Sequence, residues 1–217
     1  MKHRITAGDF FSEEEKQKIE ATIQDVESRS TGEVVVMVAE SSDPYVEAEV
    51  LGGVLLSSLL SFILTALFFH SSIWSFVPMS FIFFFPSQWL VRKVIPLKAL
   101  FLSRERKADS VRRRAIRAFH EHGLYKTRMN TGVLFLFSRL ERRVWVLADK
   151  GIHEKIGQES LNQSAAFVSQ GVREGRPCEA LCEAIRKMGE VLSRHFPVTP
   201  VDTNELPDSV TTEETSS

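Results

Sequence analysis

Two kinds of hydrophobic spacing alternate along this chain, and one long stretch obeys neither. In "SEEEKQKIEATIQDVESRSTG", Ile19, Ile23 and Val26 recur at helical intervals. Ser12 with Glu15 three residues on makes a capping-box pattern at the start, and Gly32 closes it. "EVVVMVA" (33–39) follows as a near-continuous apolar run, as expected of a strand buried on both faces. Asp43-Pro44 marks a turn. Then comes "LGGVLLSSLLSFILTALFF", Leu51 to Phe69, without a charge, and after "HSS" a second apolar run from Ile73 to Val91.

A helix over the first run would span about 28 Å, close to the roughly 30 Å hydrocarbon core of a bilayer. Soluble helices need a polar face, and this run offers only Ser and Thr. Pro78 and Pro86 interrupt the second run, which predicts kinks that neighbouring groups re-satisfy. Trp74 and Trp89 lie near its ends, where amphipathic rings prefer the interface. The pattern predicts a transmembrane hairpin, with spans at 51–69 and 73–91 inside an insertion covering 44–98.

Ordinary periodicity then resumes. In "LSRERKADSVRRRAIRAFHEHGL", Ala108, Val111, Ala115, Ala118, Phe119 and His122 share one helical face and the arginines the other. "GVLFLFSRLERRVWVLAD" reads as a β-hairpin, strands 132–137 and 142–148 around a polar turn at 138–141. Helices are expected at 152–157, 161–172 and 177–196. Neither flank of the insertion holds a complete core. Residues 1–43 and 99–196 therefore make one α/β domain split by the hairpin. The segment 197–217 carries five acids and no base, lacks apolar periodicity, and is expected to be disordered. Its "NELP" offers a short docking motif.

Charge changes the picture in one way. The net charge is −1, but ten Lys or Arg fall between Arg92 and Arg117 against two acids. Arg92, Lys93 and Lys98 follow the second span directly, so the positive-inside rule places both termini in the cytoplasm. With Arg104, these are the residues expected to meet lipid headgroups, at roughly 1 kcal/mol each. No stacking aromatics or groove-reading motif accompany the basic helix, which argues against nucleic acid. The basic start lacks an apolar core behind it and does not read as a signal peptide. Cys178 and Cys182, four apart on one helix, read as reduced and structural. No Walker loop, nucleophile elbow or His-Glu-x-x-His is present.

"TGEVVVMVAES", then a helix, then "TGVLFLFSRLERRVWVLADKGIHEKI", resembles the TPM domain family, whose members include a thylakoid-lumen phosphatase. The likeness is most specific at Thr31-Gly32-Glu33, Gly132-Val133-Leu134 and Ala148 to Ile152, and runs from Phe11 to Arg194 apart from the insertion. "HFPVTPVDTNELPDSV" resembles the end of a bacterial subgroup with the same insertion. The resemblance implies a small mixed sheet sandwiched between helices and a multi-pass protein of the bacterial inner (plasma) membrane.

Asp149 has two readings. It follows a strand and precedes a helix, where Asp caps well. It could instead contribute to a hard-cation site, calcium or magnesium, whose oxygens would come from Glu33, Ser41, Asp43 or Glu154. The resemblance suggests the same place, since members of the family bind calcium. Strands 142–148 and 33–39 both read as central from their unbroken apolar character, so the end of 142–148 is expected beside Ser41 and Asp43. Asp149 and Asp43 are thus the metal candidates. His120 and His122 point to different sides of their helix, and His153 lies just past the Asp149 turn as a candidate proton carrier. The favoured function is a membrane-bound binding or assembly module, with lipids, other membrane proteins or a second copy as partners. The alternative is a metal-dependent phosphatase of membrane-proximal phosphoesters.

Overall fold

A computed structural model of the chain describes residues 10–68, 73–127, 129–197 and 210–213. In chain order its elements are α1 (Glu13–Glu27), β1 (Glu33–Ala39), α2 (Val46–Phe68), α3 (Ile73–Lys93), α4 (Ile95–Leu100), α5 (Arg104–Glu121), a 3-10 turn (Leu124–Lys126), β2 (Gly132–Ser138), β3 (Arg143–Ala148), α6 (Lys150–Arg173), α7 (Pro177–His195) and β4 (Thr211–Glu213). The chain divides into two compact units, one of Met1–Ser42 with Ala108–Ser217 and one of Asp43–Lys107.

The first unit is built on a mixed sheet in the order β3-β2-β1-β4. β1 and β2 run parallel with Glu33 opposite Gly132, and β3 returns antiparallel to β2. Every residue of β1 and β2 is buried, which is why both read as unbroken apolar runs. Their side chains feed two cores. Val34, Val36, Val133 and Phe135 meet α1, α6 and α7; Val35, Met37, Leu134 and Leu136 meet α5 through Val111, Ala115 and Phe119. The fold is mixed α/β, with helices on both faces of the sheet.

Four local outcomes refine the reading. The capping box forms, Glu15 N–H donating to Ser12 Oγ at 3.2 Å and Ser12 N–H to Glu15 Oε2 at 2.8 Å. Gly32 lies five residues beyond the last residue of α1, and its bareness serves packing: a Cβ there would stand 2.7 Å from Leu192. β3 is an edge strand, not a central one, and its burial alternates accordingly. The helices expected at 152–157 and 161–172 form one element kinked at Gly157, whose φ of 78° suits glycine.

The tail is corrected in part. Thr211–Glu213 pairs parallel to β1 as β4, and Val210 packs partly on the core. The "NELP" motif lies outside the described residues.

In the second unit α2 and α3 pack antiparallel. Gly52 and Gly53 abut Val91 and Gln88, while Thr65 shares a small cleft with Ile73 and Phe76 at the other end. Pro78 and Pro86 both lie within α3.

Candidate functional site

The apolar helices have their polarity inside out. The buried residues of α2 are Ala48, Glu49, Gly52, Gly53, Ser57, Ser61 and Thr65, nearly all small. Large side chains point away instead: Leu67 is 71%, Trp74 88% and Phe85 72% exposed. A water-soluble helix pair would bury these and show its serines. Small residues at the contact and bulky ones outside is the arrangement that lipid favours.

The charged flank of the same unit is neutralised more than its sequence suggests. Lys98 is buried, its ammonium 2.7 Å from Glu49 Oε1, so it is not a headgroup-contact residue as expected. The apposition arises because Glu49 is on the inward stripe of α2 and α4 returns against it. Arg106 bridges Asp43 at 3.3 Å and Glu47 at 2.8 Å and lies over the Tyr45 ring. Desolvation pulls against its charge, but Glu47 and Asp43 outweigh it and raise the guanidinium pKa. Asp43 is thereby spent on an ion pair. Arg92, Lys93 and Arg104 remain exposed.

The Asp149 site does not assemble as expected. Because β3 runs antiparallel, its carboxyl end meets the amino ends of β1 and β2: Asp149 N–H donates to Gly132 O at 2.9 Å. Ser41 and Ser42 follow the opposite end of β1, about 26 Å away at strand rise. Only Glu33 and Glu154 share an end with Asp149. Glu154 faces Lys150 at 3.8 Å. Among the described residues, no three His, Cys, Asp or Glu side chains lie close enough together to hold a metal.

What Asp149 does is visible. Its Oδ1 accepts from Lys150 N–H at 2.7 Å, capping α6. Its other oxygen, Oδ2, is buried without a hydrogen bond among the described residues. The motif residues converge here for backbone reasons. Thr131 Oγ1 donates to Thr31 O at 2.6 Å, and Glu33 N–H to Thr131 O at 3.2 Å. A Cβ on Gly151 would stand 2.8 Å from Asn130 O, and one on Gly132 2.6 Å from Leu124 O. These positions hold three chain segments close together.

The remaining candidates are bland. His153 is exposed beside Gln158, and His120 stacks near Tyr125. Cys178 and Cys182 are free thiols directed at the Glu15 and Lys18 carbonyls of α1. Burial, and then Cys182, push the Cys178 thiol up to about 12.

One feature escaped the sequence reading. The turn 138–141 is not simply polar and solvated but forms a buried corner. Ser42 N–H donates to Glu141 Oε1 at 2.9 Å, the Ser42 and Ser138 hydroxyls are 2.6 Å apart, and Ser138 Oγ donates to Glu141 Oε2. Arg117 donates to Ser42 O at 3.3 Å. Glu141, the one acid in "SRLERR", was the available signal. Arg114 likewise departs from the solvated face of α5, buried against Glu121 at 2.9 Å.

No family model matches the chain, and none of the curated proteins does. Among solved structures it is similar to the NMR structure of BA42 protein from the psychrophilic bacterium Bizionia argentinensis. The TM-score is 0.59 at 18% identity, covering 94% of this chain and 96% of that one. At this identity the likeness is one of fold.

Proposed function

We propose that the chain is an integral protein of a bacterial inner membrane, held by the α2–α3 hairpin. Its sheet unit is a TPM-like domain that faces the cytoplasm and acts as a binding or assembly module. The observation that carries this reading is the inverted polarity of α2 and α3, since exposing Leu67, Trp74 and Phe85 to water would be unfavourable. Exposed Arg92, Lys93 and Arg104 supply the positive flank that the cytoplasmic side favours, and they are the residues expected to meet anionic headgroups. Other membrane proteins or a second copy are its expected partners. The alternative, a metal-dependent phosphatase, draws no support from Asp149, because Ser41 does not share its end of the sheet.

Alkaline carbonate extraction of membranes tests the reading. The protein should stay with the pellet, and release into the supernatant would refute it. Orientation is a separate measurement: a reporter fused after Ser217 should be active in the cytoplasm, and activity confined to the periplasm would invert the topology.

A further inference from the structure

We infer that the sheet unit carries a ligand site for an amphiphilic anion, at the carboxyl ends of the parallel strands and opposite the Asp149 end. A cavity of about 620 Å³ opens there, beside the β2–β3 turn and the last turns of α6. That volume lies within the range of sites for small organic ligands. In sheets of this kind, ligands favour the carboxyl ends of parallel strands.

The lining has two parts. Arg139 and Arg142 come from the β2–β3 connection, Arg143 from the start of β3, and Arg173 from the end of α6. Among the described residues, Arg142, Arg143 and Arg173 have no ion-pair partner. Glu141, the acid of the turn, is bonded to Ser42 and Ser138 and is not among the lining residues. The other part of the lining is an apolar floor that includes Phe137 and Val172. Guanidinium forks match phosphate and carboxylate oxygens in pairs, and the floor suits an apolar or aromatic body.

The backbone supplies an independent observation. Arg142 has φ 53°, the left-handed region where Gly or Asn would be at ease. Strained positions of this kind persist where the surroundings over-determine them and cluster at ligand sites. Here the conformation carries the chain from the buried corner into β3 and keeps an arginine at the cavity. Ser169, also lining it, has a hydroxyl without a partner among the described residues and can complete the head's hydrogen bonds.

The site does not depend on the membrane reading. Were the chain extractable, the same titration would be run in buffer, so the two ideas fail separately. The probe is phenyl phosphate, titrated calorimetrically into the full chain in discs of zwitterionic lipid, which leaves anionic headgroups out of competition. Inorganic phosphate and benzyl alcohol each supply half of the ligand. Phenyl phosphate should bind about tenfold more tightly than inorganic phosphate, and benzyl alcohol not measurably. Arg142→Gly relieves the turn and removes the fork. It should weaken phenyl phosphate about tenfold while leaving the melting temperature equal or higher. Arg173→Gln should weaken it similarly, and Arg112→Gln, outside the lining, should not. No heat at millimolar phenyl phosphate, equal binding of inorganic phosphate, or unchanged affinity in Arg142→Gly and Arg173→Gln would each overturn the site.

Discussion

Gly171→Ala tests how the wall behind the sheet is held. α6 and α7 approach at this residue so closely that an added Cβ would stand 2.1 Å from Ala180 Cβ and 3.2 Å from the Arg176 carbonyl oxygen. Carbon atoms in contact prefer about 3.5–4.0 Å, so the helices must part by roughly 1.5 Å. Overpacking of this kind costs about 1–3 kcal/mol, partly offset by about 1 kcal/mol from replacing a helical glycine. Ala180→Gly should lose about 1 kcal/mol for the reverse reason. The double variant exchanges the two methyl positions and removes the clash, so it should lie within about 0.5 kcal/mol of the parent, a coupling of about 2 kcal/mol. At about 2–4 °C per kcal/mol for a chain of this size, thermal unfolding by near-ultraviolet circular dichroism resolves these differences. Losses that simply add in the double variant, leaving no coupling between the two positions, would refute the packing argument. Ser169, Val172 and Arg173 flank the contact, so its disturbance should also reach the arginine-lined cavity.

Lys98→Met should cost about 3–5 kcal/mol by stranding Glu49, whereas Lys98→Met with Glu49→Met should stay within about 1 kcal/mol of the parent. Thermal denaturation in detergent separates the two, and a neutral Lys98→Met would return Lys98 to solvent. Asp149→Ala should lose about 1 kcal/mol of capping while Asp149→Asn loses little. A rise in melting temperature with millimolar calcium that Asp149→Asn abolishes would overturn the cap as its role. Because burial raises the Cys178 pKa from 9.0 to about 12, the folded protein holds that proton when the unfolded chain has lost it. Its contribution to stability is therefore complete below pH 9 and declines as pH rises toward 12. Alkylation at pH 8 should be slow until the protein is unfolded, and rapid labelling of the folded protein would contradict the burial.

The elements were legible where local chemistry decides them. Ser12 and Glu15 announce a cap, β1 and β2 announce double burial, and the uncharged run from Leu51 announces α2. What was not legible depends on direction. "VWVLA" reads as a central strand because Trp145 and Leu147 are apolar, yet both are only half-buried on an edge. Its antiparallel return along β2, rather than its place at the edge, carried Asp149 to the other end of the sheet from Ser41. Lys98 looked like a headgroup contact because sequence distance hides Glu49, 49 residues away. The cavity was hidden for a similar reason: its arginines come from one turn and from the end of a helix thirty residues on. β4 is three residues long, too short for any periodicity to reveal.

The parallel pairing of β1 with β2 also constrains the order in which the sheet unit can form. Thr31 and Thr131, bonded across the strand starts, are 100 residues apart. Closing so long a loop costs about 4 kcal/mol of chain entropy before any strand contact repays it. β1 leaves the ribosome with neither neighbour made, while β2, β3, α6 and α7 find one another locally. Early collapse of α2 onto α3 would shorten the effective loop and speed the closure. A nascent chain ending at Lys107 holds α1 and β1 but no sheet for them to join, and the first strand of the domain is among the last to be paired.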